Sequence, residues 1–166
     1  MSKKIGLTLF ASLGIWLLLA FQFLNGGIPS HYILHDKNMP SLTNAWGALL
    51  IPVLTYICTG LHEKYSASPF DKKVIAGWIS AILVGIIVSV VFLNNIKPLV
   101  SWLGPILLAI SLIVRVYQPQ YILGFVFGMS VAFGAVLPTA FVLVLALLSA
   151  TVHLLLYPVI KKVITT

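Results

Sequence analysis

Between Tyr121 and Tyr157 the chain runs for 37 residues without an Asp, Glu, Lys or Arg. One α-helix of that length would measure about 55 Å, nearly twice the roughly 30 Å hydrocarbon core of a bilayer. We therefore expect this stretch to turn back on itself and form two membrane-crossing helices. The predicted turn is Gly134–Thr139, where Pro138 interrupts the hydrogen-bond ladder of a helix.

Four further apolar runs precede this stretch, each close to the roughly 20 residues that a helix needs to cross the hydrocarbon core. The predicted spans are residues 5–24, 46–61, 74–93, 99–114, 120–137 and 139–157, with an outer loop at 25–44. Only 8% of the residues are charged, too few to cover a water-facing surface, since soluble domains carry about 25%. The sequence therefore predicts an all-α integral membrane protein. We expect a single domain, a bundle of six transmembrane helices whose last two spans form a tight hairpin.

The basic residues predict how this bundle is oriented. With a cytoplasmic N-terminus, eight of the ten Lys and Arg residues face the cytoplasm: Lys3, Lys4, Lys64, Lys72, Lys73, Arg115, Lys161 and Lys162. The outer loops then carry only Lys37 and Lys97. Basic residues favour the cytoplasmic side of a membrane, so we expect both termini inside, in a plasma or inner membrane. These short basic loops would face lipid headgroups, and they form no surface suited to nucleic acid.

Acidic residues are almost missing, and this limits the functions that fit. The carboxylates are Asp36, Glu63 and Asp71, and each falls in a predicted loop or at a helix end. Ion-coupled transporters usually keep an ionisable group inside the membrane, and the motifs of hydrolases and nucleotide-binding enzymes are absent from the sequence. We therefore expect a non-enzymatic protein without a cofactor: a small channel or transporter, or the membrane subunit of a larger assembly. Its apolar spans favour an uncharged or amphiphilic ligand, and its expected partners are the lipid bilayer, other membrane subunits or a second copy.

The outer loop supports two alternative functions. If Ser30–Asp36 forms a short interfacial helix, His31 and His35 share one face, and Asp36 follows directly. Two imidazoles and a carboxylate could hold a divalent metal, which would make the chain a metal-dependent membrane enzyme. Without a metal, the same segment would serve an accessory or immunity-type membrane protein as its binding surface.

Two more groups of residues are candidates on the inner side and within the bundle. His62 and Glu63 end the second span, and His153 lies at a similar depth in the sixth, so a His–Glu–His contact forms if those spans touch. Alternatively, His62 stabilises its helix C-terminus and His153 makes a hydrogen bond between helices. Gly124 and Gly128 form a GxxxG ridge that allows close helix packing, either within the chain or between copies.

Overall fold

The computed structural model describes residues 3–32, 41–65 and 71–164, and within those ranges the chain is predominantly helical. The α-helices in chain order are α1 (Lys3–Leu24), α2 (Gly47–Tyr65), α3 (Lys72–Leu93), α4 (Lys97–Ile113), α5 (Pro119–Phe133), α6 (Val136–Ala150) and α7 (Tyr157–Ile164). A 3₁₀ turn, Asn44–Trp46, leads into α2, and a π-helical segment, Thr151–Leu156, joins α6 to α7. Two short strands, β1 (Ser30–Tyr32) and β2 (Ser41–Thr43), lie between α1 and α2.

Four helical stretches in the described ranges are long and apolar enough to cross a membrane: Lys3–Leu24, Asn44–Lys64, Lys72–Leu93 and Val136–Val159. Helices α4 and α5 are also apolar but shorter, with 17 and 15 residues. At 1.5 Å per residue they measure about 26 and 23 Å, less than the roughly 30 Å of a hydrocarbon core. The structure therefore agrees with the predicted class, a helical membrane protein.

The outer surface of these helices is covered by large apolar side chains. Phe10 is 77% exposed, Leu24 80% and Ile113 79%. Soluble monomers rarely expose continuous apolar patches larger than a few hundred Å². Acyl chains, which are about as apolar as leucine, can surround such side chains without penalty. The surface is therefore suited to a bilayer.

The closest helix packing joins α3 to α5. The facing side of α3 carries a small residue at every fourth position: Gly77, Ala81, Gly85 and Ser89. Gly124 and Gly128 of α5 lie against it, and a Cβ on Gly128 would stand 3.0 Å from the Cα of Gly85. Small residues let helix backbones approach in lipid, where van der Waals packing rather than the hydrophobic effect holds helices together. The GxxxG ridge is thus used within the chain, and α5 lies in the middle of the bundle.

Helices α1 and α2 pack side by side in opposite directions. Near the start of α1, the backbone amide of Lys4 donates to the Glu63 carboxylate at the end of α2, at 3.2 Å. Further along α1, the indole N–H of Trp16 donates to the carbonyl of Ala48 near the start of α2, also at 3.2 Å. The start of α1 thus contacts the end of α2, and a later part of α1 contacts the start of α2, so the two helices are antiparallel.

The break between α5 and α6 lies inside the predicted turn, but a different residue causes it. Gly134 ends α5 with φ +68°, a left-handed conformation that L side chains rarely adopt. Pro138, which we expected to interrupt the helix, lies in the first turn of α6. An amide hydrogen has no intrahelical partner there, so proline is tolerated. Gly134 also makes room for Asn44, because a Cβ on Gly134 would overlap the carboxamide oxygen of Asn44.

A helix over Ser30–Asp36, the condition for placing His31 and His35 on one face, does not form where the structure describes the segment. Ser30–Tyr32 forms β1, which pairs antiparallel with β2 so that His31 lies opposite Leu42. The backbone amide of Asn44 then donates to the Pro29 carbonyl at 2.9 Å. Backbone groups next to an apolar environment need partners, and this pairing supplies them from the two ends of the loop. The remaining residues of the predicted helix, 33–36, lie outside the described residues.

The end of α4 is held against α6 by a buried hydroxyl. Ser149 Oγ donates to the carbonyl of Val114 at 2.9 Å and accepts from the amide of Val116 at 3.1 Å. The chain leaves the helix at this point, where the amide of Val116 also donates to the carbonyl of Val114 at 2.8 Å. Ser149 therefore adds a side-chain hydrogen bond to each of these two backbone groups and ties the end of α4 to α6.

Candidate functional site

Helices α1, α2, α3 and α5 surround a cavity of about 330 Å³. Most of its lining is aliphatic or aromatic: Leu7, Phe10, Ala11, Val74, Ile75, Trp78, Leu123 and Phe127 contribute to it. Its volume lies at the lower end of the roughly 300–1,000 Å³ range of small-molecule sites. Apolar walls with a few polar groups are also typical of such sites. The cavity is therefore the first candidate for a functional site.

Three buried polar atoms belong to residues that line this cavity: Nε2 of His62, Nε1 of Trp78 and Oε1 of Gln120. None of them has a hydrogen-bond partner in the described part of the chain, where six buried side-chain atoms in all lack one. An unsatisfied buried polar group costs roughly 1–3 kcal/mol, so native structures contain few. Half of these unsatisfied atoms thus belong to residues of one cavity wall, which makes this wall the candidate place for a ligand that supplies partners.

The surrounding packing fixes two of these three groups. Gln120 Nε2 donates to Gln118 Oε1 at 2.8 Å, which leaves Gln120 Oε1 as a free acceptor. The Trp78 ring packs edge-on against Phe127, with centroids 6.1 Å apart. Gly77 allows the start of α5 to approach α3, because even a Cβ there would lie 3.0 Å from Gln120 Cγ. One hydrogen-bond donor and one acceptor are therefore held in place by the α3–α5 contact.

The other polar groups in the cavity wall either have hydrogen-bond partners already or form only weak hydrogen bonds. Thr55 Oγ1 donates to the Ile51 carbonyl at 2.8 Å, and Thr59 Oγ1 donates to the Thr55 carbonyl at 2.6 Å. Cys58 is a buried free thiol, which behaves as a small apolar group. The polar groups in the cavity wall that lack hydrogen-bond partners thus belong to His62, Trp78 and Gln120.

The contact between His62, Glu63 and His153, which required the second and sixth spans to touch, does not form in the described ranges. Glu63 bonds to the start of α1 instead, and neighbouring helical positions differ by about 100° in direction, so it cannot share the cavity face of His62. His153 Nδ1 lies 2.9 Å from the Ser149 carbonyl, and its Nε2 lies 3.2 Å from the Ile113 carbonyl of α4. No three His, Cys, Asp or Glu residues gather as a metal site in the described ranges. In the tautomer protonated on Nε2, His153 thus makes the hydrogen bond between helices that was the alternative.

The outer candidates remain largely untested. The backbone of His31 belongs to β1, so the helical spacing that paired it with His35 does not apply at His31. His35 and Asp36 lie outside the described residues. A metal or a partner at this segment therefore stays a prediction.

Trp78 and Gln120 were missed as site residues. The sequence places Trp78 where an aromatic belt is expected and Gln120 beside the proline that starts α5. Both polar groups lie within a few residues of a helix end, where contact with water or headgroups is the simpler interpretation. Only the packing of four helices reveals that they share a cavity with His62.

The fold and the cavity together define a small helical membrane protein with a ligand-sized space between its helices. No protein-family model matches the chain, and neither the comparison with curated proteins nor that with solved structures finds a match.

Proposed function

We propose that this protein binds an uncharged amphiphile in the cavity between α1, α2, α3 and α5, as a small transporter or as the ligand-handling membrane subunit of a larger assembly. One observation supports this most: three buried, unpartnered polar atoms belong to residues lining an otherwise apolar cavity. An apolar occupant would leave those atoms unsatisfied, and a strongly polar one would lose its hydration against the apolar wall. A molecule with an apolar body and a small polar group suits both the apolar wall and the unpartnered polar atoms.

The lining also favours a ligand without charge. No Asp, Glu, Lys or Arg is among the residues that line the cavity in the described ranges. An ionised group needs an opposite charge or several hydrogen bonds when it leaves water, and burying it unpaired is far more costly than burying a neutral group. Fatty acids in their ionised form and quaternary amines are thus poor candidates, whereas alcohols, amides and neutral lipids are good ones.

For the membrane arrangement, we propose six crossings with both termini in the cytoplasm. Eight of the ten basic residues then lie inside, as the positive-inside rule favours. Helix α5 is short for a crossing, but seven of its 15 residues are buried, so neighbouring helices cover its central turns. Non-helical backbone at membrane depth is tolerated where protein covers it. The break at Gly134, packed against Asn44, fits that condition.

Ligand-dependent thermal stabilisation of the purified protein in detergent tests the binding proposal. The probes are 1-dodecanol, dodecane and dodecyltrimethylammonium, which share a chain length and differ in the head. A ligand at 100 times its Kd stabilises a protein by about 2.7 kcal/mol, and we expect 1-dodecanol to raise the melting temperature by about 5 °C or more. Dodecane and the cationic probe should have much smaller effects. Equal shifts with all three probes, or no shift with 1-dodecanol, would contradict the proposal.

A further inference from the structure

The exposure of residues that line the cavity points to an opening on the side of the bundle, between α1 and α3. Phe10 of α1 is 77% exposed and Ile75 of α3 is 38% exposed, although both line the cavity. Helix α1 packs mainly on α2, and α3 packs mainly on α5, so α1 and α3 are not closely packed along the described chain. A gap lined by exposed apolar side chains on a lipid-facing surface gives access to acyl chains rather than to water.

Gly14 widens this opening. It lines the cavity, and a Cβ built on it would meet nothing within 4 Å. Gly124 and Gly128, by contrast, lie where a Cβ would collide with the neighbouring helix. Close helix packing therefore does not explain Gly14. The missing side chain leaves open space on the face of α1 that lines the cavity.

The polar and apolar parts of the cavity lie at different depths. His62 is three residues from the end of α2, Trp78 is in the second turn of α3, and Gln120 is the second residue of α5. Gly14 and Thr55 lie about ten residues, or roughly 15 Å, from the corresponding helix ends, and Thr55 is about 10 Å deeper than His62 on the same helix. The polar groups thus lie near one membrane surface, and the apolar part extends toward the bilayer centre.

From this geometry we propose that the cavity takes up a neutral single-chain lipid with a hydroxyl head, which enters sideways from one leaflet between α1 and α3; this rests on the proposed binding function. A lipid in that leaflet already has its head at the surface and its chain pointing inward. It can therefore enter the gap without turning over. About 330 Å³ is small for a ligand site and suits one chain rather than the two of a phospholipid.

The head chemistry follows from which atoms lack partners. The Trp78 indole only donates, and the free Gln120 oxygen only accepts. A hydroxyl group both accepts and donates, so its chemistry matches both the donor and the acceptor. An ether or ester oxygen accepts only, and it would leave Gln120 unpaired. A second hydroxyl, as in a monoacylglycerol, could bond to Nε2 of His62 in addition.

The head is tested with 1-dodecanol and its methyl ether, titrated against the purified protein in detergent. One hydrogen bond more should make the alcohol bind roughly 3–10 times more tightly than the ether. Replacing Gln120→Met should remove that preference, because it removes the acceptor. Trp78→Phe should weaken both probes by a similar factor, because both accept from the indole. Equal binding of the two probes by the wild type would refute the hydroxyl head.

The route is tested with Gly14→Trp, which should fill the opening. Gly104→Trp is the matched control, since Gly104 also has open space around it and does not line the cavity. In lipid nanodiscs, 1-dodecanol should bind to the Gly14→Trp variant at least tenfold more slowly or weakly, and to the control as to the wild type. If the Gly14→Trp variant fails to fold, Gly14→Leu gives the same test. If Gly14 variants bind normally, the lateral route is wrong. If the wild type binds no alcohol at all, the proposed function itself fails.

Discussion

Replacing Gly128 with alanine tests the packing that forms the cavity. The added Cβ would stand 3.0 Å from Gly85 Cα and would overlap the carbonyl of Ile82. Unstrained carbon atoms stand about 3.5–4.0 Å apart, so α3 and α5 must separate locally by about 0.5–1 Å. The separation also strains the 3.4 Å hydrogen bond from Ser89 Oγ to the Gly128 carbonyl. Overpacking of this kind costs typically 1–3 kcal/mol, and we expect a loss of about 2 kcal/mol.

Reversible unfolding in mixed micelles, followed by circular dichroism as the denaturing detergent is increased, measures this loss. Gly104→Ala is the control, because its Cβ meets nothing within 4 Å. In a helix, alanine is favoured over glycine by up to about 1 kcal/mol, so the control should be as stable as the wild type or slightly more stable. If Gly128→Ala is as stable as Gly104→Ala, the backbones of α3 and α5 are not in close contact, and the argument for the ridge fails.

Further predictions concern other contacts and the membrane arrangement. Ser149→Ala should lower the free energy of unfolding by roughly 1–3 kcal/mol, because it removes two part-buried hydrogen bonds worth about 0.5–1.5 kcal/mol each, whereas Thr151→Ala, an exposed control, should change it little. Gly134→Ala should be destabilising in the same assay, because alanine at φ +68° is strained and its Cβ meets the carboxamide of Asn44; stability equal to the wild type would place the helix break elsewhere. Reporter fusions at the C-terminus and between α3 and α4 should report opposite sides of the membrane, and the same side for both would refute the six-span arrangement.

Hydropathy alone locates most of the helices, because only a helix satisfies its own backbone in lipid. The predicted runs at 5–24 and 74–93 lie within α1 and α3. The α5–α6 break was placed in the right segment but assigned to the wrong residue. Pro138 has a strong local signal, whereas the effect of Gly134 depends on a positive φ and on Asn44, which is distant in sequence.

The outer segment shows a second limit of local patterns. Two histidines spaced four apart fit a helix, but Ser30–Tyr32 pairs with Ser41–Thr43 as strands. Strand pairing depends on a partner about ten residues away, which a helical periodicity does not detect. The same argument applies to α3. Its small residues at every fourth position identify a packing face only once the structure places Gly124 and Gly128 of α5 against them.

The candidate site was predictable only in part. The sequence marks His62 as an ionisable group near the end of a span, but Glu63 and His153, its candidate neighbours, contact other groups. Its actual neighbours in the cavity wall include Trp78 and Gln120, from two other helices. No spacing rule connects residues on α2, α3 and α5, so their convergence had to come from the tertiary structure.

Fluorescence quenching of Trp78 asks directly whether an amphiphile occupies the cavity. A variant with Trp16, Trp46 and Trp102 replaced by phenylalanine keeps only this indole, and the removed rings are 56–65% exposed at the surface. Dodecanol brominated next to its hydroxyl group should quench Trp78 with a saturating curve, and unlabelled 1-dodecanol should reverse the quenching. A variant that keeps only Trp102 should show a weak, non-saturating response that reflects probe dissolved in the surrounding lipid. If Trp78 and Trp102 respond alike and neither curve saturates, the cavity holds no such ligand, and the proposed function is wrong.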